Sequence, residues 1–514
     1  MENQNLTPEI LSGHSGDEVD WIYNALDVCV THEVYGKQKA ELTPVTANTV
    51  EFSHTLAAPI FEMSLRGTLI DTARRRELSA EFVEKKRILS RNVTAIVEEG
   101  VGFKPFNYRS PSQLLKLFYG VFQLNPIKGR NSNGKYTPTV NRDALEKLQE
   151  HHVARIICKH LIALRELDKK IDFLSTELDA DNRMRSSYNV AGTNTGRLSS
   201  SASIMNTGTN QQNVDKKLRE IFIPDPGMKF CNIDLEQADS RNLGALLWEL
   251  FVEELGPEEA GKYLDACESG DLHTRVCQMA YRDLPWEEDT PRKIADRIAY
   301  RELSYRDMSK KLGHGSNYYG KARTMAMHLK VLTKMVELFQ RNYFTQFPVI
   351  PKYHEWVRDQ LLQTGTITTP YFARQRVFWG RPDDDRTLRE AIAYTPQSMT
   401  ADQIDAGIVN LWKHLPEVHL LIQVHDSILF QYPEDQEALI IPRALEHLKI
   451  NIPLKQNRSF YVPLEAKIGW NWGDADEDNQ SGLLKWKGPE LDIRKRPDLI
   501  TKPYTLRGFL DGKA

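Results

Sequence analysis

The chain has 514 residues, several times the length of an average domain, which predicts more than one hydrophobic core. Its formal net charge of -3 excludes a protein that is basic as a whole, so any contact with nucleic acid has to come from local clusters of cations. The 5 cysteines are odd in number and widely spaced, which excludes a disulfide framework and a zinc site of paired cysteines and indicates a reducing, intracellular setting.

The first stretch of the chain indicates a protein without membrane contact that begins with a helix. Residues Met1 to Asn5 lack the basic-then-apolar order of a signal peptide. No apolar run further on approaches the roughly 18 residues that span a membrane, so the sequence predicts a soluble protein of the cytoplasm. Apolar residues in the segment 17–40 recur at helical spacing and predict the first helix.

Residues 55–176 form a long, charged region in which apolar residues recur near helical spacing, which predicts a helical lobe. Ser110 followed by Pro111 predicts the N-cap and the first residue of a helix, whose free N–H groups suit a phosphate. The stretch 127–135 contains Gly, Asn and several cations, and it predicts a flexible basic loop.

Two acidic residues lie at the ends of short apolar strands. Asp234 ends the predicted strand 230–234, and a predicted helix, 237–250, follows it. Asp426 lies at the turn of the predicted hairpin 420–431. A buried acid without a function is costly to desolvate, so the two carboxylates indicate a shared metal site.

Between the two acids lies a predicted helical turn with two cations on one face. Arg306 and Lys310 are four residues apart, and Tyr318 and Gly320 follow them. A cationic helix beside carboxylates that hold two ions about 3.5 to 4 Å apart is typical of in-line nucleotidyl transfer.

The order and content of these segments resemble three motifs of the family A DNA polymerases, the group that includes bacterial DNA polymerase I and several phage replicases. The motifs read D-x-S-Q-x-E-L-R, R-x-x-x-K-x-x-x-F/Y-x-x-x-Y-G and V-H-D-E, and residues 234–241, 306–320 and 424–427 are similar to them. Residues 195–200, T-G-R-L-S-S, match a further signature of the family, and residues 388–397 resemble its helix along the primer-template minor groove. The resemblance covers most of the chain.

The resemblance implies an α+β (mixed) fold, a right-hand polymerase with an antiparallel-sheet palm, helical fingers and a helical thumb. It divides the chain into residues 1–50 as a remnant of a 3'-5' exonuclease-like domain with the third motif only, 51–183 as the thumb, 184–264 as the first part of the palm, 265–394 as the fingers, 395–480 as the second part of the palm, and 481–514 as a C-terminal extension.

The resemblance also implies roles for the site residues. Asp234 and Asp426 would hold two Mg2+ ions, for which Mn2+ can substitute, with the main-chain carbonyl of Leu235 as a further ligand. Lys310 would act with them by holding and protonating the leaving pyrophosphate. His273 would also reach the phosphates, and a purely structural role for it stays open as an alternative. The residues expected to bind the dNTP are Gln237, Asp239, His273, Arg306, Lys310, His314 and Tyr318. Those expected to bind DNA are Arg197, Arg389, Gln397 and His425.

Several positions depart from the family pattern. Asp239 stands where the family usually has Glu beside the ribose 2' position, which predicts weaker exclusion of ribonucleotides. His314 replaces an aromatic residue, Ser427 replaces the Glu of V-H-D-E, and Ala393 replaces an Asn that contacts the template. The spacing before Asn213 is longer than usual, so its alignment with the family is in doubt.

Tyr23 and Asp27 resemble the third motif of the 3'-5' exonuclease, whose other carboxylates precede it by more than a hundred residues in the family. We therefore expect that this chain alone does not proofread. The favoured interpretation is a simple packed helix, and the alternative is a split exonuclease completed by a separate chain.

The function predicted from the sequence is template-directed DNA synthesis, with primer-template DNA and dNTPs as partners and a separate exonuclease or replisome chain as a further one. Two alternatives stay open: a ribonucleotide-tolerant or RNA-synthesising single-subunit polymerase, and a catalytically inert scaffold that binds primer-template DNA in a replisome. The short length resembles a phage-type system, which would place it in the bacterial cytoplasm. The tail 481–514 carries eight Lys or Arg and four Asp or Glu, and its role cannot be read from the sequence.

Overall fold

The computed structural model describes residues 12–131 and 134–488, which form an α+β fold of long helices and short antiparallel strands. The helices are α1 (Gly16–Glu41), α2 (Pro44–Arg66), α3 (Thr72–Ala95), α4 (Pro111–Leu115), α5 (Arg142–Leu148), α6 (His152–Leu174), α7 (Ala238–Glu268), α8 (Leu272–Ala280), α9 (Pro291–Ala295), α10 (Tyr305–Asn317), α11 (Ala322–Leu329), α12 (Thr333–Gln346), α13 (Val349–Thr364), α14 (Asp385–His414) and α15 (Glu437–Leu448). The strands are β1 (Thr68–Ile70), β2 (Lys128–Arg130), β3 (Tyr136–Pro138), β4 (Arg183–Met184), β5 (Ser187–Asn189), β6 (Ser199–Ser201), β7 (Phe222–Ile223), β8 (Met228–Leu235), β9 (Ile298–Tyr300), β10 (Leu303–Ser304), β11 (Thr366–Thr368), β12 (Gln375–Val377), β13 (His419–Val424), β14 (Ser427–Pro433), β15 (Ile452–Pro453), β16 (Ser459–Phe460), β17 (Leu464–Gly469) and β18 (Leu484–Lys485). The predicted fold class is confirmed.

A five-stranded antiparallel sheet, in the order β13-β14-β8-β17-β18, carries the two acids. In the register of β8, Asp234 lies opposite Ser427 on one neighbouring strand and opposite Glu465 on the other. Asp426 lies in the two-residue turn between β13 and β14. The predicted strand-end and hairpin positions of the two acids are therefore confirmed.

The two faces of the sheet belong to different cores, because successive side chains of a strand point to opposite faces. Ile233, Ile428 and Phe430 lie in a large core that also contains residues of α7, α10, α12 and α14. Phe230 and Leu429 lie in a second core with residues of α3 and the segment after β17. The sheet is thus covered on both sides, and Asp234 shares the face of Phe230.

The predicted helix 237–250 corresponds to the first of two helical segments in α7, the second of which reaches Glu268. Gly256 has φ 78° and ψ 165°, so the chain leaves helical geometry there, and Pro257 starts a second helical segment where its missing N–H is harmless. The Gly-Pro pair therefore marks a kink within the helical region.

The N-terminal helices differ in how they pack. Helix α1 confirms the predicted helix, but none of its residues is buried. In α2, by contrast, Leu56, Ile60 and Met63 lie in the large core, where α2 contacts α14 and β13. The range 51–183 predicted as the thumb thus begins with residues that pack on the sheet. The division of the chain at 183, 264 and 394 stays a prediction.

A separate core lies within the predicted thumb range, between α3 and α6. It contains Leu117, Phe118, Leu145 and Leu161, all completely buried. The predicted cap is confirmed, because the hydroxyl of Ser110 accepts a hydrogen bond from the N–H of Gln113 at the start of α4. This core supports a helical lobe distinct from the sheet.

The prediction of a flexible loop at 127–135 is wrong for its first part. Residues Lys128–Arg130 form β2, which pairs with β3, and Tyr119 donates a hydrogen bond to the carbonyl of Thr139 beside it. Strand pairing with residues beyond 135 overrides the local Gly and Asn content. Residues 132 and 133 lie outside the described part of the chain.

The first residues of the extension predicted from 481 pack on the sheet, since Leu484 pairs with Ile468 at its edge and Leu483 lies in the second core. The remainder of that predicted extension, 489–514, and the first eleven residues of the predicted remnant 1–50 lie outside the described residues. Within residues 12–131 and 134–488, we find no helix of the length and apolar character that a membrane crossing requires.

Candidate active site

Two cavities share Asp426 in their walls. The first, of about 280 Å³, is bounded by α7, α8 and α10, and the predicted site residues in its wall are Gln237, Asp239, His273, Lys310, His314 and Asp426. The second, of about 240 Å³, lies on the sheet and contains Asp234, Asp426, Glu465 and Lys467 in its wall. Five of the seven expected dNTP ligands thus line the first cavity, Arg306 and Tyr318 do not, and Asp426 joins this cavity to the one that contains Asp234.

The two acids lie in an environment that disfavours their charged forms. Burial, followed by the charges of Asp426 and Glu465, raises the pKa of Asp234 to about 7. Burial, followed by the charge of Asp239, raises the pKa of Asp426. The carboxylates therefore repel one another in a partly desolvated site, and a cation bound between them would relieve that repulsion.

The oxygen ligands of this site fit a divalent ion. Carboxylate and carbonyl oxygens are the ligands that Mg2+ and Mn2+ prefer. Among the residues that the structure describes, no group of three or more His, Cys, Asp or Glu side chains is placed to hold an ion. An ion at Asp234 and Asp426 would therefore need further oxygens, such as those of substrate phosphates, which commonly complete the shell of Mg2+.

The two cations of α10, Arg306 and Lys310, lie in different surroundings. Lys310 is exposed and lines the first cavity. Arg306 is mostly buried and forms a two-point ion pair with Asp271, at 2.8 Å from its terminal nitrogen to Oδ1 and 3.2 Å from Nε to Oδ2. Burial, together with the charges of Arg306 and Lys310, lowers the pKa of His273 to about 4, so its ring is neutral at pH 7. Three predicted phosphate ligands therefore lie close together, but Arg306 is already paired.

His314 and Tyr318 lie at the C-terminal end of α10. Their rings meet edge to face, with centroids 4.8 Å apart. Gly315 and Gly320 allow the chain to fold back there: a Cβ on Gly320 would lie 2.7 Å from the carbonyl oxygen of Gly315, which accepts a hydrogen bond from Gly320. A Cβ on Gly315 would collide with the sulfur of Met325. The two rings thus contact each other at the end of α10, and of the two only His314 lines the first cavity.

Asp239 is held from two sides. Arg197 approaches its carboxylate at 3.3 Å, and the hydroxyl of Thr400 donates to Oδ1 at 2.9 Å or to the carbonyl of Pro396 at 3.0 Å. Asn242 in turn donates to the hydroxyl of Thr400 at 2.9 Å. The short side chain of Asp239 is therefore anchored to α14 and to the T-G-R-L-S-S segment.

Two site residues adopt left-handed backbone geometry, which is uncommon for residues other than Gly. Gln237 has φ 55° immediately before α7, and its buried Oε1 has no hydrogen-bond partner within the described residues. His425 has φ 53° in the hairpin turn. Ser427, after that turn, donates its hydroxyl to the carbonyl of Val424 at 3.0 Å, so it serves the hairpin. The left-handed backbone geometry of Gln237 and His425 is typical of functional sites.

The remaining residues expected to bind DNA lie outside the walls of the first cavity. Arg389 is exposed and Gln397 half-buried on α14, where Ala393 lies between them at helical spacing. Arg197 is half-buried and reaches Asp239. Of these three residues, Arg197 contacts a residue of the cavity wall, and the predicted contacts with DNA stay predictions.

The sequence reasoning missed three residues that the site uses. Glu465 lies opposite Asp234, Asp271 binds Arg306, and Thr400 binds Asp239. Asp271 had a signal, since it lies two residues before His273 and can cap a helix. Glu465 and Thr400 had none, because their partners are 231 and 161 residues away.

The comparisons with known proteins agree with this geometry. The model of DNA polymerase family A matches residues 72–474. DNA polymerase I of Geobacillus stearothermophilus is 26% identical over 450 residues, covering 83% of this chain and 46% of the relative. The thermostable DNA polymerase I of Thermus aquaticus is 25% identical over 443 residues, covering 83% of this chain and 48% of the relative.

Among solved structures, the fold is similar to the POL domain of Pol1 from M. smegmatis, solved in complex with DNA primer-template and dNTP. The TM-score is 0.65 at 23% identity, and the match covers 81% of this chain and 69% of that one. The chain spans about half the length of the curated relatives it matches.

Proposed function

Because the chain belongs to DNA polymerase family A, we propose that it extends the 3'-OH of a DNA primer with dNTPs in an order set by a template strand. The observation that carries the proposal is the first cavity, where Lys310, His273, Asp239 and Asp426 line one space. Asp426 also lines the second cavity together with Asp234, so the cation and the neutral imidazole lie beside the two acids that would hold metal ions, an arrangement suited to a metal-bound triphosphate.

Each residue then has a defined task. Asp234 and Asp426, with the carbonyl of Leu235, would hold two Mg2+ ions, or Mn2+, which would lower the pKa of the primer hydroxyl and neutralise the phosphates. Lys310 binds the leaving pyrophosphate and donates a proton to it, because its ammonium is exposed in the cavity. His273 donates one N–H to a phosphate oxygen in its neutral form.

The other predicted ligands complete the proposal. Gln237, His314 and Tyr318 shape the space for the nucleotide, with the last two rings in contact. Arg197, Arg389, Gln397 and His425 hold primer-template DNA beside the cavity. The lobe built from α3 to α6 serves as the thumb, the five-stranded sheet as the palm, and α8 to α13 as the fingers.

The ribonucleotide-tolerant alternative is favoured by one observation. Arg197 and Thr400 draw the carboxylate of Asp239 towards α14, so the shorter acid has partners other than the nucleotide. A 2'-hydroxyl then meets less obstruction than a longer Glu would offer.

Primer extension on a labelled primer-template tests the proposal, with dNTPs or rNTPs and with Mg2+. We expect wild-type extension with dNTPs and a loss of about a hundredfold or more in Asp426→Asn. Asp383→Asn is the matched control, because that acid is exposed on the segment before α14 and pairs only with Arg381 within the described residues. Extension with rNTPs alone would favour RNA synthesis, and DNA binding without extension would favour the inert scaffold.

We also propose that α1 packs within a second protein unit that supplies the remaining carboxylates of a 3'-5' exonuclease. The observation in favour is that α1 buries none of its residues. Trp21, Val28 and Tyr35, which are 69%, 69% and 53% exposed, follow one another at seven-residue spacing, while Tyr23 and Val30 lie on another face. A helix with so many β-branched and aromatic residues is marginal alone, so a surrounding partner would stabilise it.

The partner proposal is tested by mixing the chain with an exonuclease-like protein of the same source and following primer shortening without dNTPs. We expect Asp27→Asn to abolish shortening and to leave extension unchanged. Asp20→Asn, on the same helix, is the control. Shortening that persists at the same rate in Asp27→Asn would contradict the role of α1.

A further inference from the structure

Asp271 stands between the phosphate-binding side of the cavity and a second arginine. Its carboxylate caps α8 by accepting from the N–H of Thr274 at 3.2 Å and from the Thr274 hydroxyl at 2.7 Å. It also accepts from Arg306 at two points and from Arg292 of α9 at 3.1 Å. Five hydrogen bonds therefore fix this one carboxylate, which makes it the immobile member of the cluster.

The two arginines are not equivalent. The side chain of Arg306 is 18% exposed and turned to Asp271, while Arg292 is 56% exposed and also pairs with Asp296 at 2.6 Å. Arg306 lies one turn before Lys310 on α10. Arg292 lies on a different helix, α9, and donates a hydrogen bond to Asp271 from there. The charge of Arg306, together with that of Lys310, lowers the pKa of His273 in the cavity wall.

The two cations of α10 thus differ: one faces the cavity, and the other is held by a carboxylate. Lys310 lines the cavity, but Arg306 does not. A bidentate ion pair between arginine and carboxylate has the same geometry as one between arginine and phosphate, so the two anions compete for one guanidinium. When Arg306 turns to a phosphate, Asp271 keeps Arg292 and the cap of α8 as partners. The exchange therefore leaves no buried charge without a partner.

We propose that Asp271 restrains Arg306 in the empty site and hands it to the phosphates of an incoming nucleotide, with Arg292 as the counterion that remains. Asp271 and Arg292 are then positioning residues that set the affinity for the triphosphate, and this inference rests on the proposed function. Because the restraint opposes binding, its removal tightens the complex. A residue that merely oriented Arg306 towards the phosphates would have the opposite effect.

The decisive variant is Asp271→Asn, since Asn still caps a helix but carries no charge. We expect the affinity for inorganic pyrophosphate with Mg2+, measured by titration calorimetry on the protein bound to primer-template, to rise about three- to tenfold. The KM for dNTP falls by a similar factor, while kcat stays within about twofold or decreases because pyrophosphate leaves more slowly.

Arg292→Gln is expected to act in the reverse direction. Asp271 then has only Arg306 as a cationic partner, so pyrophosphate affinity falls about two- to fivefold. In the double variant with Asp271→Asn, the loss of Arg292 has no further effect, because Arg292 acts only through Asp271. Lys293→Gln is the control: it lies on the same helix, 71% exposed, and pairs with Asp289.

Weaker or unchanged pyrophosphate binding in Asp271→Asn would overturn the restraint, and so would an absence of binding in both wild type and variant. If Arg292→Gln lowered pyrophosphate affinity by the same factor in wild type and in Asp271→Asn, Arg292 would not act through Asp271. Primer extension by wild type tests the proposed function separately: if it fails while the opposed shifts in pyrophosphate affinity remain, the exchange stands and the polymerase proposal falls.

Discussion

Acid should destabilise the fold through His354, a buried residue of α13 that supports the end of α10. The His354 ring is 5% exposed, its Nε2 lies 2.8 Å from the carbonyl oxygen of Asn317, and Tyr319 meets it edge to face at 5.3 Å. Burial lowers its pKa to about 4, against an ordinary value near 6.5. The unfolded chain therefore binds a proton at this position between those two values, and the folded chain does not.

The sign follows from that difference. The full stability is present above pH 6.5, and it is lost as the pH falls towards 4 because the proton favours the unfolded chain. Between pH 7.5 and 5.0 the loss from one such group is about 2 kcal/mol. In His354→Gln this loss should vanish, since an amide does not titrate and can still donate to the carbonyl of Asn317.

Urea unfolding at pH 7.5 and pH 5.0, followed by circular dichroism, measures the loss. The difference between wild type and His354→Gln cancels the other titrating groups. His328→Gln is the control, because His328 is exposed on α11. If wild type and His354→Gln lose the same free energy of unfolding, the reasoning about burial is refuted.

Three further changes have defined outcomes. Asp239→Glu should raise the preference for dNTP over rNTP about tenfold in single-turnover extension, because one more methylene fills the space beside the ribose; an unchanged ratio would contradict this. Gly208→Ala should lower the free energy of unfolding by about 2 kcal/mol or more, since its φ is +64° and a Cβ would lie 2.0 Å from the carbonyl oxygen of Arg185; an unshifted melting temperature would refute it. Arg374→Gln should cost about 3 to 5 kcal/mol, because Asp402 is 1% exposed and pairs with Arg374 at 2.6 Å; urea unfolding measures this, and the double variant with Asp402→Asn should recover part of the loss.

The candidate site was predictable where its signals are local. The four-residue spacing of Arg306 and Lys310 appears unchanged on α10, and the turn between two apolar runs places Asp426 where the hairpin reverses. The helix cap at Ser110 is also confirmed. In each case the interacting residues lie within a few positions of one another, so backbone geometry alone relates them.

The fold was less predictable wherever a distant segment decides the outcome. The stretch from 127 contains turn residues, yet Lys128–Arg130 pairs with β3. Most of helix α2 lies in the range predicted as the thumb, yet it packs on β13 and α14.

By itself, the sequence determined which chemical groups this protein possesses and which short elements carry them: an acid at a strand end, an acid in a hairpin turn, a cationic helix and the helix capped by Ser110. Only the tertiary structure decided which groups face each other. It placed Glu465 opposite Asp234, bound Asp239 to Thr400, and paired Arg306 with Asp271. The physical reason is that such contacts depend on how whole helices and strands pack against a shared core. The spacing of residues within one segment does not reveal which distant segment it will pack against.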